Sequence, residues 1–144
     1  MRRGVAISLK IPDNTAYTAL VALRRLDVAV EHIERSDIYF FDDGGDVEML
    51  KQRIESDERI FNPNKHRLAI LDSEKPGPGE LWIEPLCHPE RFDYAQHRLH
   101  RRVTGWRLYD AKNRPVGHSV LAVAAERLLC NPAIDRPIME DRAG

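Results

Sequence analysis

The sequence predicts an α+β fold built from two similar halves. Short stretches alternate apolar and polar residues, which is typical of half-buried strands, and helical patterns separate these stretches. A Pro- and Gly-rich linker, residues 72–80, divides the chain, and the order β-α-β-α-β is predicted on each side of it. Each half also contains an Asn-Pro step after an apolar helical pattern, at Asn62-Pro63 and at Asn131-Pro132.

The first half, residues 1–71, opens with an alternating strand pattern. Asp13 or Asn14 follows it and can cap a helix, because a short polar side chain accepts a hydrogen bond from the first helical turn. The acidic turn at residues 42–46 indicates a second helix start, and proline at position 63 predicts its end. The predicted strands are residues 4–11, 38–41 and 66–71, and the predicted helices are residues 15–26 and 47–61.

The second half, residues 81–144, repeats this order. Its first helix is predicted from the spacing of Phe92, Ala95 and Leu99, and its second helix is the most apolar segment of the chain. The predicted strands are residues 81–86, 104–110 and 133–139, and the predicted helices are residues 88–103 and 118–130.

The agreement of the two element orders predicts a tandem duplication. A three-stranded sheet with helices on one face leaves unpaired strand edges and an incomplete core. Two such halves remove both problems when they join, so we expect antiparallel-rich sheets covered by helices and related by a pseudo-twofold axis.

Composition excludes several classes of function. The net charge is −1, so the chain has no general attraction for nucleic acid or for an anionic membrane surface. The N-terminal apolar stretch is too short for a signal sequence or a membrane span, which predicts a cytoplasmic protein. Cys87 and Cys130 are then expected to be reduced thiols.

No catalytic motif or phosphate-binding glycine loop occurs in the sequence, and no cofactor is expected. Cys87, His88, His97 and His100 are of the residue types that bind zinc, but their spacing matches no standard zinc pattern. Arginines on the same segment favour a solvated basic surface, so no metal site and no catalytic residue is predicted.

The remaining functional candidates are arginines, whose planar guanidinium groups suit contacts with anions and protein partners. The residues predicted to bind a partner are Arg24, Arg25, Arg35, Arg101 and Arg107.

Several stretches resemble PurS, the small accessory subunit of phosphoribosylformylglycinamidine synthase. Residues 22–42, "ALRRLDVAVEHIERSDIYFFD", are similar to that family's first helix and second strand. Residues 128–134, "LLCNPAI", are similar to its last helix and Asn-Pro ending, and residues 59–65, "RIFNPNK", are a weaker copy. The family's Gly-Lys pair is replaced by Ser36-Asp37 in the first half and by Tyr109-Asp110 in the second.

The resemblance implies a subunit without an active site of its own. It implies that the chain bridges the glutaminase and synthetase subunits of that enzyme and helps ammonia pass between them. A fused pair of PurS-like halves would replace a dimer, because fusion makes the docking of the halves intramolecular. Self-association beyond the fused pair stays an open alternative.

Two other classes of function remain open. One is a free-standing regulatory module that binds a small ligand between its halves. The other is an enzyme that uses Cys87, His88, His97 and His100.

Overall fold

A computed structural model describes residues 2–42, 46–87, 93–94 and 97–140, and it confirms an α+β fold. Its centre is a six-stranded antiparallel sheet, with the short strand β5 paired to one end of β6. The strands are β1 (Arg2–Leu9), β2 (His32–Asp42), β3 (His66–Leu71), β4 (Glu80–Pro85), β5 (Asp93–Tyr94), β6 (His97–Tyr109) and β7 (Asp135–Met139). The helices are α1 (Asn14–Arg25), α2 (Val47–Glu55) and α3 (His118–Ala124), and a π-helical turn (Ala125–Leu129) continues α3.

The strand order is β3-β1-β2-β6-β4-β7, so β2 and β6 form the centre of the sheet. Their antiparallel pairing places Asp37 opposite Thr104 and joins the part of the chain before the linker to the part after it. A β-bulge interrupts this pairing between Phe40 and Phe41. The sheet is therefore continuous across the two predicted halves.

All three helices pack on one face of the sheet. Helices α1 and α3 cover a cluster that includes Leu81 and Leu108, while α2 covers a second cluster that includes Val5 and Phe41. The opposite face carries a third cluster, and no described helix residue belongs to it. The expectation of a helix-covered sheet therefore applies to one face. The buried members of the third cluster are Ile38, Phe40, Trp82 and Val103.

Side-chain caps determine where the first two helices begin. The Asp13 carboxylate accepts the Ala16 N–H at 3.0 Å, and the Asp46 carboxylate accepts the Glu48 N–H at 2.9 Å. Both bonds satisfy backbone donors that the first helical turn leaves without a partner. The predicted helix starts are thus confirmed, with residues 43–45 of the acidic turn lying outside the described residues.

The helix predicted over residues 88–103 is wrong for residues 97–103, which belong to strand β6; residues 88–92 and 95–96 lie outside the described residues. Leu99 and Val103 are buried there, while Arg98 and His100 are exposed. This alternation suits a strand, and β2 needs a hydrogen-bonding partner along its second edge. Tertiary pairing therefore overrides the helical spacing of the local sequence.

The helix predicted over residues 47–61 ends earlier, at Glu55. The Ser56 hydroxyl donates to the Gln52 carbonyl at 2.9 Å, and the Asp57 carboxylate accepts the Arg59 N–H at 3.0 Å. These bonds form a turn that carries the chain to the Asn-Pro step. The proline at position 63 therefore does not terminate this helix.

The last glycine of the Pro/Gly linker, Gly79, contacts β6 and the turn that follows it. Gly79 has φ of +70° and its carbonyl accepts the Leu108 N–H at 2.9 Å. A Cβ atom built on Gly79 would lie 2.6 Å from Cβ of Pro115, so any other residue would be strained there. The linker thus aligns β4 with β6.

Candidate functional site

The five arginines predicted to bind a partner lie in three places. Arg101 and Arg107 are on β6 and extend toward acidic residues of β4. Arg35 is on β2, and Arg24 and Arg25 are in the last turn of α1. The structure therefore separates these residues into two local ion-pair sites and one helix end.

Glu84 is the centre of the ion-pair network on the helix-free face of the sheet. Arg101 donates to one of its carboxylate oxygens, and Nε of Arg136 donates to the other at 2.8 Å. Burial alone would raise the pKa of Glu84, but hydrogen bonds and positive charge from the two arginines outweigh it, so this pKa lies below its usual value. The network joins β6, β4 and β7.

The guanidinium group of Arg101 lies over two aromatic rings, those of Phe40 and Trp82. Its guanidinium carbon lies 5.4 Å from the Phe40 ring centroid and 5.8 Å from the Trp82 ring centroid, within range of a cation–π interaction. The Trp82 indole N–H donates to Glu80, which also pairs with Arg107 at 3.5 Å. Arg101 and Arg107 thus help to hold the sheet together.

Arg35 fixes the start of α1. Its Nε donates to the Asp13 carboxylate at 3.0 Å, and this is the same carboxylate that caps the helix. Both side chains are largely buried. This ion pair connects β2 to the start of α1 and so helps to position the helix over the sheet. The role of Arg35 is therefore to hold α1 in place.

The outward side of α1 exposes apolar side chains next to two of the predicted site residues, Arg24 and Arg25. Tyr17 is 67% exposed, Leu26 is 37% exposed, and Leu128 of the π-helical turn, which lines a groove with Thr18 and Ala22 of α1, is 40% exposed. We call Tyr17, Val21, Leu26 and Leu128 the α1 surface. Exposed aromatic and aliphatic side chains next to arginine are typical of the centre of a protein interface.

Arginines border this surface. Arg25 lines the same depression as Tyr17 and Val21. Arg24 pairs with Glu31 at 3.7 Å, and both of their side chains are about half exposed. Such an exposed pair contributes little to stability and leaves the guanidinium group accessible to a partner.

A groove of about 460 Å³ runs between α1 and the π-helical turn. Asn14, Thr15 and Thr18 supply polar groups on one wall, while Trp106 and Leu129 supply apolar surface. The guanidinium Nη1 of Arg127 links the π-helical turn to the end of α1 by donating to the Leu26 carbonyl at 2.7 Å. π-Helical turns occur frequently at functional sites, and the groove combines apolar surface with a few polar groups, as small-molecule sites do.

The described cysteine and histidine residues that were considered for catalysis do not form one cluster of potential metal ligands. Cys87 is exposed and Cys130 is buried. Burial and the nearby Asp135 raise the pKa of the Cys130 thiol, which favours its unreactive protonated form. Among the described residues no group of three metal-binding side chains comes together, and His88 lies outside them.

The two Asn-Pro steps form turns with the same hydrogen bonds. Oδ1 of Asn62 accepts the Asn64 N–H at 2.9 Å, and Oδ1 of Asn131 accepts the Ala133 N–H at 3.1 Å. The backbone carbonyl of each asparagine accepts two further N–H groups, three and four residues later. Each turn leads directly into an outer strand, His66–Leu71 or Asp135–Met139.

Comparison of the chain with protein-family models and with curated protein sequences finds no match. In the described part of the chain, no helix combines the length and apolar character that crossing a bilayer requires.

Sequence reasoning missed the α1 surface, although a signal for it was present. Ala16, Ala19 and Leu23 form the stripe of α1 that faces the core. Tyr17 and Val21 are four residues apart and form a second apolar row on the outward side. One apolar row is enough to pack a helix against the core, so a second apolar row indicates a surface that can bind another molecule.

Proposed function

We propose that this chain is a tandem-duplicated, PurS-like protein of the cytoplasm. It acts as a non-catalytic accessory subunit and bridges the glutaminase and synthetase subunits of phosphoribosylformylglycinamidine synthase. The observation that carries the proposal is the register of the six-stranded sheet. This register supports two equivalent halves that face each other across a twofold axis.

The outer strand pairs give the first correspondence between the halves. The Lys10 N–H donates to the Lys65 carbonyl at 2.7 Å, and the Leu86 N–H donates to the Ile134 carbonyl at 2.8 Å. Matching these two bonds aligns β1 with β4 and β3 with β7. Ile7 then corresponds to Ile83.

The inner strand pairs extend this correspondence to β2 and β6. Ile7 pairs with Asp37, and Ile83 pairs with Thr104, so Asp37 corresponds to Thr104. A twofold axis between β2 and β6 requires two corresponding residues to face each other, and Asp37 does face Thr104. Three separate registers therefore agree with one axis.

The Asn-Pro turns add chemical support to this symmetry. Asn62 and Asn131 make the same set of bonds and occupy corresponding places before the outer strands. Chance would have to reproduce both the strand order and these turns. A duplicated origin accounts for both features with one event.

The α1 surface supports a role in binding a larger protein. It combines exposed Tyr17 and Leu26 with the adjacent Arg25 on a helix that the partly buried Arg35–Asp13 pair holds in place, and Leu128 of the π-helical turn adds to it. A rigid helix that presents an aromatic anchor loses little entropy on binding. Such a surface suits an adaptor that keeps two enzymes in register.

Reconstitution tests this function. The purified chain is mixed with the purified glutaminase and synthetase subunits, and co-elution and glutamine-dependent activity are measured. We expect a complex that fails to form without this chain. Tyr17→Glu should weaken the complex by at least about tenfold. Ile134→Glu, which makes the same change at a side chain that is 60% exposed on a turn, should not weaken it. Recovery of neither subunit would refute the proposal.

A regulatory ligand-binding module is the second candidate, and the groove between α1 and the π-helical turn favours it. Trp106 lines this groove, so its fluorescence should change when a ligand binds. Amino acids and nucleotides are screened with the Trp82→Phe variant, in which Trp106 is the remaining tryptophan. A compound that changes the emission and raises the melting temperature would support this function.

A further inference from the structure

The two outer strands of the sheet differ in what they offer to another strand. β3 lies at one end of the strand order and β7 at the other. An outer strand turns half of its N–H and C=O groups away from its neighbour, and a second chain can pair with these groups. The hydrogen bonds at the start of each outer strand show which residues face outward.

Strand β7 is poorly equipped to accept another strand. The Leu86 N–H to Ile134 carbonyl bond is a hydrogen-bonded pair of β4 with β7, and such pairs recur at every second residue. Asp135 and Pro137 therefore face outward. Pro137 has no N–H, and the Asp135 N–H already donates to the Asn131 carbonyl at 2.8 Å.

Strand β3 shares one of these features but contains no proline: the His66 N–H donates to the Asn62 carbonyl at 2.8 Å, while Leu68, at the position equivalent to Pro137, keeps its N–H. Counting from the Lys10 N–H to Lys65 carbonyl bond, Ala69 pairs inward with β1, whereas Leu68 and Ile70 direct their N–H and C=O groups outward. Within the described ranges of the chain, β1 is the one strand that pairs with β3. One edge of the sheet is thus open and the other is obstructed.

We propose that β3 is a self-association edge, at which two copies of this chain pair their β3 strands antiparallel about a twofold axis through Ala69. In this register Leu68 of one copy lies opposite Ile70 of the other. These are the residues whose backbone groups face outward, so both pairs are hydrogen-bonded. The two sheets then become one continuous sheet.

Side chains favour a second copy as the occupant. Leu68 and Ile70 are only partly buried and pack beside the α2 cluster, so their apolar surfaces meet across the new strand pair. The charges also favour pairing with a second copy. Basic residues, from Lys65 to Arg67, lie at the start of the strand, and the acidic residues Asp72 and Glu74 follow its end. The register places His66 opposite Asp72 of the other copy, with Lys65 and Glu74 close by.

The first test measures mass in solution. Light scattering across a concentration series should show a monomer–dimer equilibrium for the full chain. Ala69 is exposed, so Ala69→Glu leaves the fold intact but places two like charges opposite each other, and it should give a monomer. Ala133→Glu makes the same change at an exposed turn and should keep the dimer. A monomer at every concentration, or a dimer that survives Ala69→Glu, would overturn the proposal.

The second test examines the register. A residue on the axis faces its own copy, and Cα atoms in a non-hydrogen-bonded pair are about 4.5 Å apart, within disulfide range. In a Cys87→Ser background, mild oxidation of Ala69→Cys should yield a covalent dimer. Arg67→Cys should not, because position 67 faces position 71. Cross-linking at position 67 without cross-linking at position 69 would contradict this register.

Discussion

Replacing Glu84 with glutamine tests whether the ion-pair network on the helix-free face stabilises the fold. Glu84 accepts hydrogen bonds from Arg101 of β6 and Arg136 of β7, so its charge links three neighbouring strands. Glutamine keeps the size and one acceptor oxygen but removes the charge. The substitution therefore isolates the electrostatic part of the network.

The magnitude follows from how far each partner is exposed to water. The side chains of Glu84 and Arg101 are 13% and 24% exposed, and a shielded charged hydrogen bond of this kind contributes about 2 kcal/mol. Arg136 is 63% exposed, so its pair with Glu84 contributes less than about 1 kcal/mol. We expect Glu84→Gln to lower the free energy of unfolding by about 2 kcal/mol at neutral pH, or the melting temperature by about 5 °C.

The pH dependence has a definite sign. Because the folded state holds the pKa of Glu84 below the unfolded value of 4.5, the carboxylate contributes its full stabilisation above pH 4.5. That contribution is lost as the pH falls through the folded-state pKa, since both states then bind the proton. Urea unfolding of the wild type and of Glu84→Gln should therefore show a stability difference that shrinks in acid.

A control at an exposed carboxylate makes the result specific. Glu74 lies in the exposed part of the linker, and Glu74→Gln should change the free energy of unfolding by less than about 0.5 kcal/mol at either pH. A Glu84→Gln penalty that stays constant between neutral and acid pH would refute the electrostatic explanation. It would point to packing or to the neutral hydrogen bond.

Two further predictions concern the turns and a buried histidine. Asn62→Ala and Asn131→Ala should each lower the free energy of unfolding by about 1 kcal/mol in urea titrations, because each removes one acceptor from an equivalent turn; a cost at one turn alone would contradict their equivalence. His97 is 1% exposed, and neither ring nitrogen has a hydrogen-bond partner among the described residues. His97→Leu should therefore raise the free energy of unfolding by about 1 kcal/mol, and a loss of stability would reveal a polar partner.

Local patterns were sufficient for much of the first half. Residues 66–71 were predicted as a short strand and form β3 with these bounds, and Asp13 was one of two candidates for the cap of α1. These features depend on neighbouring residues in the chain, which is the information that a sequence pattern contains. The Asn-Pro steps divide between the two outcomes: the helical segment before Asn131 ends at Leu129, next to its Asn-Pro step, whereas α2 ends at Glu55, well before Asn62.

Patterns failed where distant strands decide the structure. Residues 97–103 have both helical spacing and a strand-like alternation of Leu99, Arg101 and Val103. The choice between them depends on β2, which lies far away in the sequence and offers its open edge to β6. The α1 surface was missed for a related reason: whether Tyr17 is buried or exposed depends on where the sheet lies relative to α1.

The differences between the two halves are informative about the proposed duplication. Residues 10–31 connect β1 to β2 and contain α1, whereas the corresponding residues 86–96 form a connection about half as long. Two identical subunits encoded by one gene could not differ in this way, since each change would appear twice. Under the proposed duplication, fusion removes that constraint, so the longer connection of one half can carry the α1 surface, and proline at position 137 can obstruct one edge strand but not the other. On this proposal, the chain would be asymmetric at its proposed binding surfaces and symmetric at the β2–β6 pairing. That distribution is expected if selection on binding has acted on each half separately while the β2–β6 pairing continued to require both.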